Sequence, residues 1–305
     1  MSRLHANSLL LIAALIWGST FAVQQVAMDT IGPMAFTATR FLLGGLAILP
    51  LAWIEWRRHG RQVRAGEAPA LPLRAWGWMA AVGIVLFTGT ILQQIGIMDT
   101  TVTNAGFLTV LYVILVPLLG LVILRHVPHW SVWPAGLLCL GGTFILSGAY
   151  RGLSISAGDW WVISSSFFWA GHVLLIGLVG RRLGMPMLFA CVQFLACSAV
   201  AWGWTLATEE LTLAMVGASA WSIVYAGVVS VGVGFTLQVV AQRHTPASDV
   251  AILLSMETVF AALGGAFFLG ERLAPVEYMG CGLILFAVLS VELLPLVRGR
   301  RARAG

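Results

Sequence analysis

Ten side chains able to hold a small solute stand where the surrounding sequence is apolar: Trp17, Thr20, Gln24, Arg40, Thr90, Gln94, Trp169, His172, Gln238 and Glu257. At about 100° per residue, Trp17, Thr20, Phe21 and Gln24 fall on one face of a helix. Trp161, Ser165, Trp169 and His172 do the same on another. Thr90 and Gln94 lie within a turn of each other, and Gln238 repeats the position of Gln94 in the second half of the chain. A polar group facing lipid is costly unless satisfied, so these faces must turn toward other helices or toward water. Taken singly, a Ser or Thr in such a place usually ties helices together, for about 0.6 kcal/mol each. Two matched faces that each carry a tryptophan point instead to a shared cavity. Indole and carboxamide together suit a ligand with an apolar body and polar ends, such as an amino acid.

Two of the ten are charged. Arg40 lies about 10 Å into its apolar run from one side, and Glu257 about 12 Å into its own from the other, at 1.5 Å per residue. In a core about 30 Å thick, that leaves an axial gap of about 8 Å. Two readings follow. The charges form a structural salt bridge or make separate polar contacts, since intramembrane charges usually pair; or Arg40 holds a substrate carboxylate, or Glu257 carries a proton. His172 is the weaker proton candidate, since an interior histidine is more often simply hydrogen-bonded.

These residues need elements to carry them, and composition says of what kind. The 305 residues are 59% hydrophobic and only 10% charged, with a mean hydropathy of +0.93. Soluble domains carry roughly 25% charged residues, so this is a membrane protein. Ten apolar runs approach the 20 or so residues needed to cross a bilayer. They cover about 8–28, 33–54, 76–97, 103–124, 131–149, 158–179, 186–207, 219–241, 249–269 and 275–295. The first run is too long for a signal peptide and shows no small-residue cleavage site, so it is expected to be retained.

All 17 basic residues are arginine, and all but Arg40 lie outside the runs, which explains the net charge of +5 better than nucleic-acid binding does. A cytoplasmic N-terminus puts Arg3, Arg57, Arg58, Arg61, Arg64, Arg74, Arg125, Arg181, Arg182, Arg243 and the C-terminal arginines on one side. Only Arg151 and Arg272 remain opposite. This bias predicts a multi-pass protein of the cytoplasmic (inner) membrane with both termini inside. Trp53, Trp56, Trp76, Trp78 and Trp130 then fall at the interfaces as an aromatic belt. The four cysteines sit within apolar runs at no metal-binding spacing.

The chain also repeats itself. "PMAFTATRFL" (33–42) matches "PMLFACVQFL" (186–195), with Arg40 opposite Gln193. Trp17 falls opposite Trp169, and a constant offset of 144 pairs Gly83 with Gly227, Gln94 with Gln238, Thr101 with Thr245, Gly120 with Gly264 and Gly136 with Gly280. The fold expected is an all-α integral membrane protein of ten transmembrane helices, as two five-helix repeats covering 1–152 and 153–305. An odd number of spans per repeat inverts the second copy, an arrangement that places substrate sites near the midplane of transporters.

The stretches "WGSTF", "RFLLGGL" and "SMETVFAALGGAFFLGERLAPVEYMGCGLILFAVL" (255–289) resemble the EamA-type branch of the drug/metabolite transporter superfamily. The resemblance covers nearly the whole chain and includes the duplicated ten-span layout. It implies export of metabolites such as amino acids without ATP, and it maps onto Trp17, Gly18, Arg40, Glu257, Gly264, Gly270 and Glu271. One departure is plain: the first repeat reads "LVILRHVPHW" where the second has "FFLGERLAPVEY", so its Gly-Glu turn is missing.

Other classes fit less well. A Walker motif needs a lysine, and the chain has none. An integral-membrane enzyme would need a nucleophile–base set or a metal cluster, and neither H-E-x-x-H nor Cys-x-x-Cys occurs. His126 and His129 share a loop without a third ligand. A channel, or an importer of another organic solute, is not forbidden by the duplication. The expectation is a secondary transporter moving a small molecule by alternating access through a lipid bilayer, with no cofactor, no metal and no nucleic-acid partner. Oligomeric state is not written in the sequence. Glycine pairs at 44–45, 141–142 and 264–265 are expected to let helices approach closely.

Overall fold

The computed structural model describes residues 1–152, 155–268 and 273–304, without the side chains of 102–103, 264–268 and 292–304. Gly270 and Glu271 lie outside the described residues, as does the side-chain environment of the Gly264–Gly265 pair. Among the described residues every regular element is helical. The helices are α1 (Arg3–Ala27), α2 (Pro33–Arg64), α3 (Leu73–Met98), α4 (Val102–Thr109), α5 (Tyr112–Leu124), α6 (Val132–Leu146) and α7 (Ala157–Leu183). Then come α8 (Pro186–Thr208), α9 (Leu213–Ala218), α10 (Ala220–Val224), a π-helical segment Tyr225–Phe235, α11 (Thr236–Ala241), α12 (Ala247–Leu254), α13 (Met256–Phe268) and α14 (Pro275–Ala304).

Starts and stops follow local chemistry. Ser2 caps α1, and α2 and α8 begin on prolines, whose missing N–H and fixed φ suit a first turn. Ser156 and Asp159 form a reciprocal capping box at the head of α7, and Gly184 ends that helix with φ of +71°. Arg125 ends α5 with φ of +52°, a left-handed position unusual for a residue other than glycine.

Among the described residues, seven of the ten apolar runs form stretches long and apolar enough to cross a membrane: Arg3–Ala27, Pro33–Arg64, Leu73–Met98, Asn104–Leu124, Ala157–Leu183, Pro186–Thr208 and Ala220–Ala241. The runs at 131–149 and 275–295 give shorter apolar helices, Val132–Leu146 and Pro275–Val291. The run at 249–269 is broken at Ser255 into α12 and α13. A second break, at Val110–Leu111, separates α4 from α5. The helices after the two breaks start at Tyr112 and Met256, which stand at the same offset of 144 that pairs Gly83 with Gly227.

Packing pairs the two halves of the chain. The helix α2 runs along α8, α3 along α7, α6 along α14, and α1 along both the π-helical segment and α13. Glycine makes the closest approaches possible. A Cβ added to Gly142 would lie 2.7 Å from the Gly280 carbonyl oxygen, and one added to Gly280 would lie 2.6 Å from that of Gly142. Gly44 of the first glycine pair meets the π-helical segment and Gly45 meets Leu195, whereas Gly141 faces open space.

At each end of the α2–α8 pair, one helix caps the other. Glu209, at the foot of α8, accepts from the Met34 N–H (2.9 Å) and the Ala35 N–H (2.8 Å) of α2. Glu55 of α2 accepts from the Leu188 N–H of α8 at 2.8 Å. Each carboxylate satisfies backbone donors that a helix start leaves orphaned, and each sits at the positive end of a helix dipole. Near the N-terminus, Arg3 pairs with Asp249 at 2.7 Å and the Thr245 hydroxyl donates to Asn7 at 2.8 Å, tying α1 to the segment leading into α12. The two largest apolar clusters share two tryptophans at their seam, Trp17 and Trp169.

Candidate functional site

A cavity of about 70 Å³ opens at that seam. A water needs roughly 10–15 Å³ measured this way, so the space takes several water-sized groups. Nine of the ten residues picked out in the sequence are in its wall: Trp17, Thr20, Gln24, Arg40, Thr90, Trp169, His172, Gln238 and Glu257. The exception is Gln94, which is fully buried but outside the wall, and its neighbour Gln93 lines the cavity instead. On α7 only the lower part of the expected face reaches the cavity. Ser165 is buried against its own helix, and Trp161 is 44% exposed on the outside of the bundle. The four residues on α1, Phe21 included, all line the wall. Trp53, Trp56, Trp78 and Trp130 are exposed, and Trp76 is half-buried.

Of the arrangements expected for Arg40 and Glu257, the salt bridge does not form, and Arg40 makes a separate polar contact. Among the described residues the ion pairs are Arg3–Asp249 and Arg151–Glu277, and neither cavity charge has an oppositely charged partner within 4.0 Å. The Arg40 guanidinium instead donates from Nη1 to Gln24 Oε1 at 2.5 Å. It also lies over the rings of Phe36 and Phe41, at 5.0 and 5.4 Å to their centroids, a cation–π arrangement. Arg40 and Glu257 are 5% and 4% exposed. Arg40 Nε and Glu257 Oε1 have no hydrogen-bond partner among the described residues.

Several of the remaining polar groups are held by neighbouring helices, whereas the Thr90 hydroxyl and the Trp169 N–H have no partner among the described residues. Gln93 Nε2 donates to the Thr109 hydroxyl at 2.8 Å, joining α3 to α4. His172 Nε2 lies 3.0 Å from Gln193 Oε1, a contact that puts the ring proton on Nε2 and leaves Nδ1 unpaired. Trp17 Nε1 donates to the Ser230 carbonyl at 3.3 Å. Gln238 Nε2 reaches Gln242 Oε1 at 3.4 Å, and Gln242 in turn donates to the Val173 carbonyl.

Phe235, the last residue of the π-helical segment, is the aromatic hub. Its ring lies 4.6 Å from that of Trp17, 5.9 Å from His172, and 6.0 Å from both Trp169 and Phe41. The sequence reading passed over Phe235, although it stands three residues before Gln238 and so shares its helical face. Tyr112, Thr109 and Ser230 also line the cavity. Tyr112 is the first residue after the α4–α5 break, and Glu257 is in the first turn after the α12–α13 break. The two broken helices thus bring their breaks to one cavity.

The "WGS" of α1 can now be explained. A Cβ on Gly18 would lie 2.5 Å from the Glu257 carbonyl oxygen and 2.9 Å from the Ala261 nitrogen. Bare backbone at Gly18 therefore lets α13 press against α1, while the adjacent Trp17 fills the cavity wall.

The model of the EamA-like transporter family matches the chain twice, over residues 5–148 and 156–293. The chain belongs to the EamA-like transporter family. It is a multi-pass membrane transporter, not an enzyme. An Archaeoglobus fulgidus protein named an uncharacterized transporter is 33% identical over 96% of this chain and 87% of its own length. The uncharacterized transporter YwfM of Bacillus subtilis is 27% identical over 93% of each. Escherichia coli RhtA, a threonine/homoserine exporter, is similar over a shorter stretch, at 24% identity across 46% of this chain and 44% of that one. A solved crystal structure shares the fold of this EamA-like chain, with a TM-score of 0.75 at 18% identity over 96% of this chain and 98% of the other.

Proposed function

We propose that this EamA-like transporter is a secondary exporter of small zwitterionic metabolites such as amino acids. It works without ATP, by alternating access across the cytoplasmic membrane. The observation that carries the reading is the state of Arg40 and Glu257: a guanidinium and a carboxyl group in one cavity wall, each buried and neither in an ion pair among the described residues. Burying a charge without a counter-charge is expensive. A solute bearing a carboxylate and an ammonium group would neutralise both.

In this reading the two halves, 1–152 and 153–305, are inverted repeats of five spans each, with both termini cytoplasmic. The packing supports it. Exchanging each helix for its counterpart turns the α3–α7 contact into the contact of α1 with the π-helical region, and leaves α2–α8 and α6–α14 unchanged. The RhtA name supports the amino-acid class and the outward direction.

The test is uptake of radiolabelled amino acids into inverted membrane vesicles, with and without a proton gradient. Accumulation without ATP, lost in Arg40→Gln protein that remains folded, is the expected result. Absence of flux for every amino acid, with folded protein in the membrane, would refute the proposal.

A further inference from the structure

The two tryptophans are matched in sequence but not in hydrogen bonding. Trp17 Nε1 already donates to the Ser230 carbonyl, and its indole is seated against Gly234, where an added Cβ would lie 2.8 Å from Nε1. Trp169 is fixed just as firmly: its ring stacks on Phe235 at 6.0 Å with planes 17° apart, and meets the His172 ring edge-on at 6.1 Å. Gly89 of α3 faces the same indole, where an added Cβ would stand 3.4 Å from Trp169 Cδ2, in ordinary contact. Yet the Trp169 N–H is buried and has no acceptor among the described residues. An indole N–H can only donate, and leaving a buried donor unpaired costs more than a made hydrogen bond returns.

We infer that Trp169 is a free hydrogen-bond donor of the cavity and gives its N–H to an oxygen of the substrate carboxylate, whereas Trp17 is wall and scaffold. This rests on the zwitterionic-solute reading above. The division of labour between donors and acceptors supports it. In the same wall, Gln238 Oε1 and Glu257 Oε1 are unpaired acceptors, which call for an N–H-bearing group on the solute. Trp169 Nε1 and Arg40 Nε are unpaired donors, which call for an oxygen. The cavity thus offers unmet partners for both ends of an amino acid, and the two tryptophans contribute unequally to the oxygen end.

The probe is whichever standard L-amino acid most raises the melting temperature of the purified wild-type protein, used beside its decarboxylated amine. W169F should weaken the amino acid about ten-fold, the loss of one hydrogen bond to a charged acceptor, while changing the affinity for the amine far less. W17F should weaken both ligands alike, because it alters shape and packing but removes no donor that the ligand uses. Equal losses for both ligands in W169F, or a carboxylate-selective loss in W17F, would overturn the inference. A measurement on the wild type keeps the test open if W169F does not fold: the amine must bind less tightly than its amino acid, and equal binding also overturns it. Should no amino acid stabilise or be transported by the wild type, the zwitterion reading itself fails, a result distinct from the loss of selectivity alone.

Discussion

Removing the carboxylate clamps between α2 and α8 should cost a calculable amount of stability. Glu209 takes two backbone N–H groups at the head of α2, where Gly32 supplies no side-chain cap. Losing a helix cap typically costs about 1 kcal/mol, and losing a negative charge at a helix N-terminus adds about 0.3–1 kcal/mol. With two donors freed at a half-buried site, Glu209→Ala should cost about 2 kcal/mol, and Glu209→Gln, which keeps one acceptor, about half of that. Glu55→Ala, with one hydrogen bond at 2.8 Å, should cost about 1 kcal/mol. The two sites are separated by most of α2, roughly 30 Å at 1.5 Å per residue, so the double variant should lose about 3 kcal/mol by simple addition. Reversible unfolding by SDS in mixed micelles, followed by circular dichroism, reads these differences directly. A Glu209→Ala cost below about 0.5 kcal/mol would show that water replaces the clamp at no loss. A double variant no worse than either single one would show that the two ends act as one unit rather than as independent caps.

Gly18→Ala must move α1 off α13 by nearly 1 Å to relieve contacts with backbone atoms, and should cost about 1–3 kcal/mol in the same assay. Gly203→Ala, on an open face of α8, should be neutral or stabilising by up to about 1 kcal/mol, and similar losses at both glycines would count against this packing. Gln94 makes no side-chain hydrogen bond among the described residues, so Gln94→Leu should leave stability within about 1 kcal/mol of wild type or raise it, and should spare transport. Gln93→Leu strips Thr109 of its partner in the cavity wall and should lower solute affinity; equal transport losses at 93 and 94 would contradict the placement of the wall.

Helical-face arithmetic from the sequence locates the α1 wall completely, because α1 is one unbroken α-helix and 100° per residue holds along it. It fails in three instructive places. On α7 it joins Trp161 and Trp169 across more than two turns, yet only the end of the helix near the seam reaches the cavity, and no periodicity says how far along its axis a helix is covered. For Arg40 and Glu257, depth arithmetic fixes height in the membrane but not lateral distance, and Arg40 finds its nearest partner in Gln24 of α1. The third failure is the pairing of Gln94 with Gln238. A constant offset assumes that both copies wind alike, but the segment before Gln238 is a π-helix from Tyr225 to Phe235, whereas α3 is α-helical throughout. A π-helix closes its hydrogen bonds one residue later, so each residue turns through a smaller angle, and everything after it presents a different face. Gln238 therefore reaches the wall where Gln94 does not. The same winding ends on Phe235 and leaves the Ser230 carbonyl to accept from Trp17. The two tryptophans that look interchangeable in the sequence are made unequal by eleven residues of backbone whose side chains, "YAGVVSVGVGF", carry no signal for it.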